Sequence, residues 1–501
     1  MLHGQIQRTK LSLRFIEPQL RRHTPPNSSK PMNPPALQLL ERCAERRARL
    51  AAHMAQAGGG VAIVPTAPEV MRNRDADFPY RHDSYFYYLT GFTEPQSLLV
   101  LTVQADGSHQ ATLFCREKDA EREIWDGFRF GPEAAKEAFG FDAALPIAQR
   151  DAALPPFLAD RPAVWWPFAI HAGFETQVEG WLAAVRAQAR AGRRAPAAQY
   201  DLCAVLDDMR LFKDDFELAV MRRAAAISAQ GHRRAMRRSA EGSRAAPTGG
   251  LREYHLEAEL LYAFRAGGAQ APAYGSIVAA GANACILHYR AADATLPPGS
   301  LCLIDAACEL DGYASDITRT FPVDGRFSGA QRALYDIVLQ AQHAALDATR
   351  AGRRFNDPHD AALRVLAQGL LDTGLIARDT APDVDAVLAT GAYRRFYMHR
   401  TSHWMGMDVH DCGDYTEPGE APQPQADGSA KPASRILRPG MVLTIEPGLY
   451  VRAADDIPAA FHDIGIRIED DVVVRDGGAA CEVLTHAAPK AVAEIEDLMR
   501  V

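Results

Sequence analysis

Residues 300–322 restrict the fold of this chain more than any other segment. Two apolar, strand-like runs, Leu301-Cys-Leu-Ile-Asp305 and Ser315-Asp-Ile-Thr-Arg-Thr-Phe321, are joined across Leu310-Asp311-Gly312, a pattern that predicts a β-hairpin. A turn at Leu310-Asp311 sets residue 305 directly opposite 316. A turn at Asp311-Gly312 sets 316 opposite 307 and diagonal to 305. Both registers put the carboxylates of Asp305 and Asp316 on one face. On otherwise apolar strands such a pair repels and desolvates itself, unless one group is protonated or a cation lies between them. A divalent metal is the simplest remedy. The alternative is that one aspartate faces solvent beside the turn.

Three further segments carry groups of the same kind. His399-Arg-Thr-Ser-His403-Trp-Met-Gly-Met-Asp-Val-His410-Asp411 holds three imidazoles among small and aromatic residues. One could ligate while the others serve a substrate. Met441-Val-Leu-Thr-Ile-Glu446 and Gly465-Ile-Arg-Ile-Glu469-Asp470 each set a glutamate at the end of, or inside, an apolar strand. A buried glutamate needs a positive partner, and an ion pair is the alternative to a metal at each. Arg467 shares a strand face with Glu469 without obviously touching it. Four carboxylates and one imidazole suit two close divalent ions such as Mn²⁺, Co²⁺ or Zn²⁺, rather than a closed thiolate site. The chemistry this implies is hydrolysis.

A chain of 501 residues exceeds one typical core. Apolar runs at 61–64, 97–103, 111–115 and 163–166 alternate with helix-like stretches such as 34–54 and 177–190, predicting a mixed α/β unit. Asp214-Asp-Phe-Glu217 resembles a capping box opening a long helix with Phe216, Val220, Ala224 and Ile227 on one face. The division expected is an extension over 1–31, an N-terminal unit over 32–206 and a second unit over 207–501. The overall class is α/β (α+β). Residues 1–31 carry one acidic side chain, Glu17, and no apolar core of a secretory signal; they read as a disordered extension, and Met32 could equally be the start. Segments 240–250 and 413–435, rich in Gly, Pro, Ser and Ala, read as surface loops.

Composition narrows the function classes. The formal charge is -8, from 55 basic and 63 acidic side chains, which disfavours a nucleic acid partner. No apolar run approaches the ~20 residues that cross a bilayer, so no membrane partner is expected. Eight cysteines at positions 43, 115, 203, 285, 302, 308, 412 and 481 form no Cys-x-x-Cys pair, which suits a reducing cytoplasm.

These motifs resemble the creatinase/aminopeptidase P/prolidase family of pita-bread metallopeptidases. They are Ile286-Leu-His288-Tyr289, Ile304-Asp305-Ala306, Ser315-Asp316-Ile-Thr-Arg-Thr320, Ser402-His403-Trp404, Val409-His410-Asp411, Ile445-Glu446-Pro447-Gly448 and Gly465-Ile-Arg-Ile-Glu469-Asp470. Together with Tyr80-Arg-His-Asp-Ser-Tyr-Phe-Tyr-Tyr-Leu-Thr-Gly-Phe92 they are most similar to the bacterial-type aminopeptidase P branch, from about Pro35 onward. The resemblance implies a pita-bread catalytic domain over 207–501. It makes Asp316 and Glu469 bridge two metals, His403 and Glu446 bind one, and Asp305 the other. Mn²⁺ is the metal it favours. His288, His399 and His410 would hold substrate and stabilise the intermediate, backed by Arg467 and Tyr450, with Glu446 also shuttling a proton. The implied reaction is removal of the first residue of a peptide with proline at position 2, by a hydroxide shared between the metals. A homo-oligomer, dimer or tetramer, is implied as well. The rivals are a prolidase restricted to Xaa-Pro dipeptides and an inactive binding protein that keeps only the fold. Three departures bear on substrate fit: Arg400-Thr401 stands where relatives often have Gly-Leu, the 413–435 loop is long, and Tyr87 replaces a tryptophan that in some relatives lines a neighbouring subunit's pocket.

Overall fold

The computed structural model describes residues 34–245, 250–290, 293–424 and 430–500; the expected extension over 1–31 lies outside the described residues. The described residues open with the helix Pro34–Gln56, ended by glycines, and the strand Gly60–Pro65. That strand is central in a six-stranded mixed sheet in the order 143–146, 109–115, 98–103, 60–65, 163–166, 198–201. Its side chains alternate as a pleat requires. Val61 and Ile63 pack with Leu154, Leu158, Phe174 and Trp181 on one face, while Ala62 and Val64 join the main core on the other. That main core runs without interruption from Leu50 to Met499.

Asp214 and Glu217 form the expected capping box: Asp214 N donates to Glu217 Oε2 at 3.0 Å and Glu217 N to Asp214 Oδ1 at 2.9 Å. The helix they open, Asp215–Ala245, outruns the expectation of a loop over 240–250. Its small residues allow close packing: a Cβ on Gly242 would lie 2.1 Å from Leu251 Cδ1. The helix therefore continues through a stretch whose composition resembled a loop; residues 246–249 lie outside the described residues. The 413–435 segment is likewise more than a surface loop. Thr416 bridges Ser434, and Tyr415 packs on Phe355 and Trp404.

The hairpin forms, and its register is the second of the two predicted. Leu310 pairs with Tyr313 around Asp311-Gly312, and Asp305 pairs with Thr318. Asp311 and Gly312 both have positive φ, 50° and 80°, as a two-residue hairpin turn of matching twist requires. The turn packs against Tyr87 and His82, which stack with ring centroids 4.0 Å apart. Gly312→Ala is expected to cost about 1–2 kcal/mol from the left-handed backbone alone, plus a push on Tyr87, whose Cε1 would lie 3.0 Å from the new Cβ. A urea midpoint equal to the parent's would refute this.

Two β-ribbons break at the same level. In the hairpin, pairing stops after Asp305/Thr318 and resumes at Glu309/Ala314. In the second ribbon, Val442–Ile445 pairs with Asp470–Val473, and Gly448–Val451 pairs with Ile464–Arg467. Carrying that constant register through its gap sets Glu446 opposite Glu469. Glu469 N donates to Thr318 O at 3.1 Å, and Arg467 N to Thr320 Oγ1 at 3.2 Å, so the ribbons are stitched together where both open. At such a break side chains can converge, because the backbone no longer pairs with itself.

Candidate active site

A cavity of about 650 Å³ opens at the ribbon breaks. Nine of the ten residues singled out from the sequence line it: Asp305, Asp316, His403, Glu446, Glu469, His288, His399, His410 and Arg467. Tyr450 does not; it is buried behind, hydrogen-bonded to Arg467 and His399. Tyr87 does not line this chain's own cavity either, being buried against the hairpin turn.

Asp316, His403 and Glu469 each present a ligand-type atom within 4.8 Å of the others. His403 Nδ1 donates to Trp404 O at 3.0 Å, which turns Nε2 toward Asp316 Oδ2 at 3.5 Å and Glu446 Oε1 at 3.7 Å. His403 owes its place to a short strand-like contact, because Thr444 N donates to His403 O and Met405 N to Val442 O. Asp305 Oδ2 accepts from Arg467 Nη2 at 2.5 Å, whereas buried Asp305 Oδ1 has no hydrogen-bond partner among the described residues. Arg467 thus serves Asp305 across the ribbons rather than its strand neighbour Glu469. Neither Glu446 nor Glu469 forms an ion pair with a lysine or arginine among the described residues; Glu446 instead faces two imidazoles, with His403 Nε2 at 3.7 Å from Oε1 and His399 Nδ1 at 3.7 Å from Oε2.

The electrostatics are those of an acidic pocket lacking enough positive charge. Burial pushes Asp305 up against the pull of Arg467. Burial, then Asp316, Glu446 and Asp305, hold Glu469 well above the usual carboxylate range. Glu446 rises to about 7, burial outweighing His403 and Arg467. Burial lowers His403, but Asp316 and Glu446 overcome it and raise the ring to about 9. Protons are being held where cations are wanted. The donor set and the unpartnered Asp305 Oδ1 fit divalent metal ions.

The three other histidines differ. Arg467 Nη1 donates to Tyr450 Oη at 3.0 Å, leaving the tyrosine proton for His399 Nε2 at 2.8 Å, while His399 Nδ1 donates to Arg400 O at 2.7 Å. Both nitrogens of His399 are engaged, and burial with Arg467 lowers it to about 3. His288 and His410 are exposed on the cavity wall. His410 stacks on His403 with centroids 4.1 Å apart.

Sequence reasoning missed several contributors. Tyr274, in a third strand broken at the same level, donates its hydroxyl to Asp316 Oδ1 at 2.5 Å. Thr318 Oγ1 donates to Glu469 Oε2 at 2.6 Å, and Asp471 Oδ2 accepts from Asp316 N at 3.0 Å. Thr318 lay within a quoted motif and Asp471 directly followed one, and their strand positions were the available signal. Tyr274 sits in an irregular Ala-Pro-Ala-Tyr-Gly-Ser stretch with no periodicity to mark it.

Residues 219–476 match the model of metallopeptidase family M24, and residues 43–165 match the aminopeptidase P N-terminal domain. The chain is 41% identical over 441 residues to the Xaa-Pro aminopeptidase of Escherichia coli strain K12, covering 88% of this chain and 94% of that protein. It is 32% identical to human Xaa-Pro aminopeptidase 3 over 440 residues, covering 87% and 80% respectively. Among solved structures it resembles the Pseudomonas aeruginosa aminopeptidase PepP, with 47% identity, a TM-score of 0.84 and coverage of 92% and 98%. Zn-substituted Escherichia coli aminopeptidase P in complex with product is similar at 40% identity, TM-score 0.83 and the same coverage.

Proposed function

Since the chain belongs to metallopeptidase family M24, we propose that it is an Xaa-Pro aminopeptidase, removing the first residue of peptides that carry proline second. The observation that carries this reading is the convergence of Asp316, His403 and Glu469 within 4.8 Å, with Asp305 and Glu446 on the same cavity wall. Asp316 and Glu469 would be shared by two divalent ions, with His403 and Glu446 completing one site and Asp305 the other. Mn²⁺ is the first candidate metal, with Co²⁺ or Zn²⁺ as substitutes. When bound, such a pair lowers the pKa of a water from ~16 toward ~7 and polarises a carbonyl.

The remaining steps belong to side chains of the chain. Arg467 and Tyr274 fix the orientation of Asp305 and Asp316, each through one hydrogen bond of 2.5 Å. The carboxylate wall receives the substrate's free amine, which restricts cleavage to the amino end. Glu446 takes the proton of the attacking water at a carboxylate oxygen and delivers it to the departing proline nitrogen. His288 and His410, with exposed rings on the wall, donate to the oxygen that becomes negative. His399, held between Arg400 O and Tyr450, keeps the Tyr450–Arg467 pair in place. Proline suits this site because its tertiary amide has no N–H that would require an acceptor.

An Xaa-Pro-Xaa tripeptide should be cleaved after its first residue. Dialysis against chelator should abolish turnover, and added Mn²⁺ should restore it, with metal content tracked by elemental analysis. Hydrolysis of Xaa-Pro dipeptides alone would make the protein a prolidase. Absence of both metal uptake and turnover would leave only a binding role.

A further inference from the structure

The cavity is polarised. Its floor is acidic, formed by Asp305, Asp316, Glu446 and Glu469, while two exposed arginines, Arg290 and Arg400, stand at its rim on different lining segments. Each guanidinium is anchored by a neutral acceptor. Arg290 Nη1 donates to Gly275 O at 3.1 Å, and Arg400 Nη2 to Asn356 Oδ1 at 2.5 Å. Neither arginine forms an ion pair with a carboxylate among the described residues. Elsewhere on the surface arginines commonly do, as Arg354 does with Glu420 at 2.9 Å and Arg193 with Asp160 at 2.8 Å. A guanidinium offers five N–H donors in a rigid fork, so most of each fork is free and already held in place.

We propose that Arg290 and Arg400 select substrates bearing a carboxylate beyond the proline. This deepens the peptidase reading above and rests on it. A peptide whose amine lies on the acidic floor sends its other end toward the mouth, where these two cations are met. An extended tripeptide reaches about 10 Å, the scale of the cavity. The carboxylate could be the C-terminus of a short peptide or an acidic side chain at the third position, and both present the planar acceptor that an arginine fork matches.

Three peptides separate these sources: Ala-Pro-Ala, Ala-Pro-Ala amide and Ala-Pro-Glu amide, assayed with Mn²⁺-loaded enzyme. The parent should favour one or both carboxylate-bearing peptides over the neutral amide by about tenfold in kcat/KM, as charge-assisted contacts at a wet rim allow. The difference should lie in KM, because a distal contact is equal in ground and transition states, and it should shrink in high salt. A terminal source predicts preference for Ala-Pro-Ala alone; a side-chain source predicts that Ala-Pro-Glu amide is favoured too. In the Arg290→Met/Arg400→Met double variant the ratios should fall to one, and Arg400→Lys with Arg290 intact should keep most of the preference. Equal cleavage of all three peptides by the parent would overturn the proposal and leave the peptidase reading intact. Persistence of the preference in the double variant would overturn it too. Failure to cleave any of the three would defeat both.

Discussion

Glu469→Gln should lower kcat/KM by on the order of a thousandfold, because removing the carboxylate proposed to bridge the metals would forfeit several kcal/mol of transition-state stabilisation. The same substitution should stabilise the metal-free protein. Burial and the neighbours Asp316, Glu446 and Asp305 push the Glu469 carboxyl well above its ordinary value. The folded state therefore retains a proton that the unfolded chain gives up above about pH 4. Above that value metal-free stability falls as pH rises, toward the raised folded-state pKa. Glutamine removes the titration while its carbonyl oxygen can still accept from Thr318. At pH 7 the metal-free variant should exceed the metal-free parent by about 1–4 kcal/mol, with the gap closing toward pH 4. Added Mn²⁺ should raise the parent's Tm more than the variant's, since a ligand stabilises only what binds it. Near-parental turnover, or an undiminished metal-induced rise in Tm, would contradict the role assigned to Glu469.

What the sequence disclosed of this arrangement depended on how local the contacts are. The hairpin was legible because its strands are joined by two residues. Once Asp311-Gly312 forms the turn, the register of 305 and 316 follows. The long helix was legible at its start, where Asp214 and Glu217 cap it within one turn. It was misread at its end, because Gly242 is small to admit Leu251 and not to form a loop. The opposition of Glu446 and Glu469 could not be read: their strands are connected by residues 452–463, with no tight turn to set a register. Each glutamate showed only that it was apolar-flanked and needed a partner. The partner of Arg467 was hidden for the same reason, since its guanidinium crosses to Asp305 in the other ribbon. Family resemblance supplied the connections that period and spacing did not.

Asp411 shows the same dependence on distant contacts, and Asp411→Ala should destabilise the protein by about 3–5 kcal/mol. Its carboxylate accepts from Arg210 Nη2 at 2.6 Å and Lys213 Nζ at 2.9 Å, and all three side chains are buried. Arg210 keeps a second partner, Asp408 at 2.8 Å, whereas Lys213 has no other ion-pair partner among the described residues and would be left as a buried charge. Burial acts to raise the Asp411 pKa, but Lys213 and Arg210 outweigh it and hold it below the ordinary value. A depressed carboxyl contributes stability that is complete above about pH 4 and disappears as pH falls through the lowered value. The difference between parent and variant should therefore be constant from neutral pH down to about pH 5 and shrink below pH 4. Activity should fall as well. Asp411 N donates to Trp404 O at 2.9 Å, closing the loop that stacks His410 on His403, and the loss of its side-chain anchors frees that loop. Urea unfolding at pH 7 and pH 3.5, with turnover measured well below the melting temperature, tests both effects. Equal midpoints at pH 7 would mean that Lys213 finds another partner, and the Asp411 pair would then not be what holds His410 in place.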